Sequence, residues 1–165
     1  MNEKNYKIIS DWFRAKDKRL KNFNLFYKVL PYIIVLSYLI AVVYEIFNGD
    51  LNDKLRIVLV PMITFILCTV ARKLINKKRP YEVLDIVPLI KKDKQGQSFP
   101  SRHMVSAGVI AVSAMYVNVY FGVMVIVVGV FIGILRPIAG VHFIKDVIVG
   151  FLIGILCGIL GFYVI

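Results

Sequence analysis

The chain has 165 residues, 59% of them hydrophobic, with a mean hydropathy of +0.75. Several apolar runs of membrane-spanning length exclude an ordinary soluble domain and predict an all-α, multi-pass transmembrane helical bundle. A formal charge of +11, from 21 Lys and Arg against 10 Asp and Glu, is unusual for so apolar a chain, so its distribution becomes the informative quantity.

Residues 1–24 come first and are amphipathic. Tyr6, Ile9, Trp12, Phe13, Leu20 and Phe23 share one face of a helical wheel. Lys4, Lys7, Asp11, Arg14, Lys18 and Lys21 share the other, with Lys16 a misfit on the apolar side. The pattern predicts an interfacial helix on anionic lipid, with a solvated basic tail as the plainer alternative. The first apolar run starts near Leu25 behind this charged segment and lacks a small-residue cleavage pattern, so it reads as a retained helix rather than a leader.

Apolar spans follow at about 25–47, 55–75, 103–118, 119–135 and 144–165, each near the ~20 residues a bilayer requires, the middle two a little short. Turn residues separate them: Asn48, Gly49 and Asp50, then Arg79 and Pro80, then Pro137 with Gly140. No repeat or low-complexity stretch interrupts residues 25–165, which read as one transmembrane domain. Cys68 and Cys157 lie inside apolar runs, where a thiol acts as a small packing group.

Five crossings place the N-terminus, the 76–102 loop and the 136–143 link on one side. Only Lys54 and Arg56 fall on the other, which leaves 21 − 2 = 19 Lys and Arg on the first. The positive-inside rule accounts for part of this and puts the basic side in the cytoplasm, the eight Lys and Arg through Lys28 already outnumbering Lys54 and Arg56. Topogenesis does not ask for histidines and a lone aspartate in the same places.

Three places on that side carry chemistry. Arg72 and Arg79 are seven residues apart, about two helical turns, so both guanidinium groups can point one way; ending a membrane helix with basic residues is their plainer role. In "PSRH", Pro100 suits a helix first turn, Ser101 offers a hydroxyl, and the early N–H groups of such a helix attract phosphate, with His103 at the rim. In "RPIAGVHFIKD", Arg136 is followed by His142 and Asp146 four residues apart, a spacing that stacks them on one helix face so that the carboxylate can hold the imidazole. The loop "KKDKQGQ" at 91–97 reads as a solvated turn that draws anionic headgroups toward the site. Two histidines and one aspartate among so many arginines leave a repulsive field for a cation and an incomplete zinc shell, so neither metal nor cofactor is expected.

The two spans between His103 and His142 form a hairpin and return both imidazoles to one face, with Arg72, Arg79, Ser101, Arg102, Arg136 and Asp146. Such a cluster is an oxyanion pocket with an acid and a nucleophile, and phosphate is its natural occupant.

With "RKLINKKRP" (72–80), "PSRH" (100–103) and "RPIAGVHFIKD" (136–146) in this order and spacing, the sequence resembles the type 2 phosphatidic acid phosphatase superfamily. That signature is a basic residue before Arg-Pro, a Pro-Ser-Gly-His block, and Arg-x5-His-x3-Asp. The resemblance covers residues 72–146. Arg72 stands where the family usually has lysine, Arg102 where it has glycine, and Leu135 where it often has serine, and many relatives have six spans.

The resemblance implies a metal-independent, membrane-integral lipid phosphatase acting on phosphatidic acid, phosphatidylglycerol phosphate or a polyprenyl phosphate or diphosphate. His142 attacks phosphorus while Asp146 holds its ring, His103 protonates the departing oxygen, and Arg72, Arg79, Ser101, Arg102 and Arg136 hold the phosphate. The expected partners are the lipid phosphate and membrane lipids, with no nucleic acid. Two alternatives stay open: a non-hydrolytic anion- or lipid-binding membrane protein, and a phosphotransferase between lipids. Sidedness also stays open, because many bacterial members act at the outer face.

Overall fold

The computed structural model describes residues 3–91 and 95–165, and among them every regular element is helical. The order is α1 (Glu3–Arg14), α2 (Asp17–Asn48), α3 (Leu51–Ile75), α4 (Pro80–Val83), α5 (Arg102–Val117), α6 (Val119–Ile138) and α7 (Ile144–Ile159), which runs into a π-helical turn at Leu160–Val164. Among the described residues four stretches are long and apolar enough to cross a membrane: Asp17–Asn48, Leu51–Val83, Val119–Ile138 and Ile144–Val164. Helix α5 is the fifth, shorter apolar helix.

α5 is short because it is the central post. It packs against α2, α3, α6 and α7, and its residues from Met104 to Ala114 are nearly all buried. Small side chains such as Ala107, Ala111, Ser113 and Ala114 suit a helix with neighbours on every side. The surrounding helices turn Leu36, Ile40, Leu67, Met124, Phe131 and Leu152 outward, the apolar exterior a lipid solvent requires.

Helices α5 and α7 meet along a glycine seam. A Cβ on Gly154 would strike the Val105 carbonyl oxygen, and one on Gly150 would lie 2.8 Å from the Ser101 carbonyl oxygen. Spaced four apart with Gly158, these glycines form the small-residue stripe by which membrane helices approach closely. The seam brings the start of α5 against the start of α7.

The 1–24 segment does not form one interfacial helix. It breaks at Ala15 and Lys16, and residues from Asp17 onward belong to α2, so Leu20 and Phe23 extend a membrane helix. Helix α1 is also packed rather than merely floating. Tyr6 is 1% exposed and donates its hydroxyl to the Val87 carbonyl at 3.1 Å, while Arg14 donates to the same carbonyl at 2.7 Å. Gly140, in the left-handed region at φ 77°, leaves room for that ring, since a Cβ there would lie 2.7 Å from the Tyr6 hydroxyl.

Helix α3 begins at Leu51, four residues before the apolar run, because Asp50 and Asp53 cap it reciprocally at 2.9 and 3.3 Å. Asn118 turns the α5–α6 hairpin, its side chain accepting from the Phe121 N–H at 3.1 Å. Arg102 lies sixteen residues before Asn118 and Arg136 eighteen after it, so the free ends of the hairpin are level to within about 3 Å. The two ends of the bundle separate as parity requires. Tyr116 donates to Asp53 at 2.5 Å and Arg56 to the Ile165 carbonyl at 3.2 Å at one end; α1 and the 84–90 segment meet at the other.

Candidate active site

Three separate stretches of chain are tied together at the α1 end by direct hydrogen bonds. Arg72, in the last turn of α3, donates one guanidinium nitrogen to the Pro100 carbonyl and another to the Gln97 carbonyl. Arg79 donates to the Gly96 carbonyl at 2.9 Å and the Val141 carbonyl at 3.3 Å. The Ser101 N–H donates to the Asp146 carbonyl at 2.9 Å. The segments carrying Arg72, His103 and His142 are therefore one cross-linked layer.

Local conformation explains how each group arrives. Asn76, left-handed at φ 41°, ends α3, so Arg79 is not two turns further along the same helix as its spacing suggested. An extended stretch delivers it instead, and Glu82 fixes it by accepting from the Arg79 N–H at 2.7 Å and the Gly96 N–H at 2.9 Å. Gly96 and Gln97, at φ 63° and 53°, curl the following loop so that their carbonyls face Arg79 and Arg72. Pro100 precedes the Ser101 cap of α5 rather than occupying its first turn. Residues 92–94 of the basic loop lie outside the described residues.

His142 does not share a helix face with Asp146, because α7 begins only at Ile144. Its ring is held by a group the spacing did not indicate. Nδ1 lies 2.8 Å from the carbonyl oxygen of Ser98. A carbonyl can only accept, so Nδ1 carries the proton and Nε2 keeps its lone pair. The Asp146 carboxylate, 0% exposed, is filled by other donors: Lys77 at 2.7 Å, the Ser98 hydroxyl at 2.6 Å and the Phe143 N–H at 3.1 Å. Asp146 is thus linked to the imidazole through Ser98.

Arg136, in the last turn of α6, is buried against Tyr27 of α2. It donates to the phenol oxygen at 2.6 Å, with its guanidinium carbon 4.4 Å from the ring centroid. Burial, with Arg79, Arg72, Arg136 and His103 close by, holds the His142 pKa well below that of an ordinary histidine, so the ring is neutral. Two buried polar atoms of this layer, the Ser101 hydroxyl and Arg136 Nε, have no hydrogen-bond partner among the described residues. A phosphoryl group offers such donors acceptor oxygens.

His103, in the first turn of α5, and Arg102 beside it line a cavity of about 310 Å³ with Pro31, Tyr32, Phe65 and Ile110 among its walls. The Arg102 guanidinium carbon sits 5.3 Å over the Phe65 ring, apart from the layer built by the other three arginines. No three His, Cys, Asp or Glu side chains converge among the described residues.

Sequence reasoning missed Ser98, Lys77, Tyr27 and Glu82. Ser98 stands two residues before Pro100, and a hydroxyl so close to the motif was the available signal. Lys77 is hidden in a basic run, and Tyr27 and Glu82 carry none.

No curated protein sequence matches the chain. Among solved structures, LpxE from Aquifex aeolicus superposes with a TM-score of 0.73 at 26% identity, covering 97% of this chain and 93% of its own. The first transmembrane PAP2-type phosphatidylglycerolphosphate phosphatase from Bacillus subtilis superposes with a TM-score of 0.72 at 23% identity, covering 96% and 83%. At that lower identity the likeness is one of fold. The PAP2 superfamily model matches residues 53–165, a range holding all three blocks joined above. The chain therefore belongs to the PAP2 superfamily, as a multi-pass membrane hydrolase of phosphoric esters.

Proposed function

We propose that the protein hydrolyses the phosphate or diphosphate headgroup of a membrane lipid through a phosphohistidine on His142, without a metal ion. Nε2 of His142, its lone pair free because Nδ1–H faces the Ser98 carbonyl, attacks phosphorus. The bond from phosphorus to the leaving oxygen breaks, its electron pair stays on that oxygen, and His103 supplies the proton. Water then attacks the phosphohistidine with His103 taking its proton, and phosphate departs as Nε2 regains its lone pair. Arg136 Nε and the Ser101 hydroxyl, with the charge of Arg72 and Arg79, stabilise the equatorial oxygens as charge redistributes.

The observation that carries this reading is a neutral, carbonyl-held imidazole in the same layer as two buried polar atoms that have no partner among the described residues. A lipid substrate fits because the cavity at His103 continues along apolar walls formed by Ile34, Val35, Ile110 and Ile132.

His142→Ala, purified in detergent, should lose phosphate release by at least about a thousandfold while still binding the lipid. Unchanged release would end the reading. A phosphate-release panel over phosphatidic acid, phosphatidylglycerol phosphate and polyprenyl mono- and diphosphates identifies the substrate.

A further inference from the structure

The four arginines of the site fall into two groups. Arg72, Arg79 and Arg136 are buried and pinned, the first two by main-chain carbonyls and the third by Tyr27. Arg102 is exposed and makes no hydrogen bond or ion pair among the described residues; its guanidinium lies over the face of Phe65. A guanidinium resting on an aromatic ring keeps all its N–H donors available.

Its location says which part of a substrate it meets. The cavity that Arg102 lines includes His103 but not His142, Arg72, Arg79 or Arg136. Below the two polar residues its walls become apolar, with Ser106 and Ile110 of α5 continuing the His103 face and Ile132 of α6 opposite. The cavity is therefore on the side from which the leaving group departs, with the acyl or prenyl chain running down it. A leaving oxygen at His103 puts the next atoms of the leaving group beside Arg102. A neutral alcohol leaves that cation unpaired, whereas a second phosphate is matched by it in charge and geometry.

We infer that Arg102 selects substrates whose leaving group itself carries a phosphate, as in a prenyl diphosphate cleaved at its terminal phosphorus. The inference rests on the hydrolase reading above and deepens it. In the reaction, Nε2 of His142 bonds to the terminal phosphorus and the bond from that phosphorus to the bridging oxygen breaks. The bridging oxygen keeps the electron pair, takes the proton of His103 and departs as the prenyl monophosphate, whose charge Arg102 balances. Water then releases inorganic phosphate as before.

The test compares a prenyl diphosphate with the monophosphate of the same chain length, which share an apolar tail and differ in the group facing Arg102. Purified wild-type protein, Arg102→Gly, Arg102→Gln and Arg102→Lys are assayed in detergent micelles, and the quantity read is the ratio of kcat/KM for diphosphate over monophosphate. Arg102→Gly and Arg102→Gln should lower that ratio about ten- to hundredfold, the size of a charge-assisted contact, with Arg102→Lys in between. A ratio unchanged in both neutral variants, or equal losses on the two substrates, overturns the assignment of Arg102 while leaving hydrolysis intact. No release by the wild type from either prenyl substrate overturns this inference alone; the hydrolase reading falls with it only when phosphatidic acid and phosphatidylglycerol phosphate, assayed in parallel, release no phosphate either.

Discussion

Ser98 does two jobs that mutation can separate. Its carbonyl fixes the His142 tautomer, and its hydroxyl ties Asp146 to that carbonyl's own residue. Ser98→Ala keeps the first and removes the second, leaving a buried carboxylate one donor short. We expect kcat to fall roughly tenfold, the scale of one hydrogen bond to a charged group, with little change in KM; steady-state kinetics of the purified variant checks this. The pH profile follows from the same ring. Because burial and nearby cations depress its pKa, His142 stays neutral as pH falls through the range where a free histidine gains a proton. The acid limb of kcat/KM assigned to this nucleophile should therefore lie below about 6.5, and an assay of free enzyme with a short-chain substrate reads it directly. At this scale the sequence pointed to the groups we propose to react but not to their supports. Arg72, Arg79, His103, Arg136, His142 and Asp146 are polar groups at the ends of apolar spans, which makes them conspicuous. Ser98 acts through its main chain and Tyr27 by lying under a guanidinium on a distant helix, and neither leaves a mark on composition.

The α5–α7 seam decides whether the layer assembles. Gly154→Ala places a methyl against the Val105 carbonyl and should cost about 1–3 kcal/mol, as overpacking of a close contact does. The thermal midpoint in detergent should fall, and phosphate release with it, because the same seam holds Ser101 against Asp146. The spans themselves were legible, since apolar runs of this length have few other readings. Their ends were not. Helix α3 starts within a charged turn because two aspartates cap it, and hydropathy is blind to capping. The break at Ala15 and Lys16 divides a wheel that looked continuous, and Lys16, the misfit on that wheel, stands at the N-cap of α2. The His142 and Asp146 spacing of four suggested one helix face, yet the turn around Gly140 carries the histidine ahead of the helix.

For the molecule as a whole, parity is the statement that matters most. Helix α1, the loop ends and His142 gather at one end, and Tyr116, Arg56 and the final residue at the other, as five crossings demand. From the basic N-terminal segment we propose that the end carrying the site faces the cytoplasm. A cysteine introduced at Lys91 should then resist an impermeant thiol reagent in intact cells and react after lysis; labelling in intact cells would reverse the orientation. The hairpin turned at Asn118 has a further consequence. Because Arg102 and Arg136 come level by residue count along two rigid rods, the stretch between them works as a ruler. One extra residue in α6 would swing Arg136 by about 100° and carry it away from Tyr27, and no side-chain change could restore the fit. The number of residues separating these two positions thus matters to the proposed site as much as their identity.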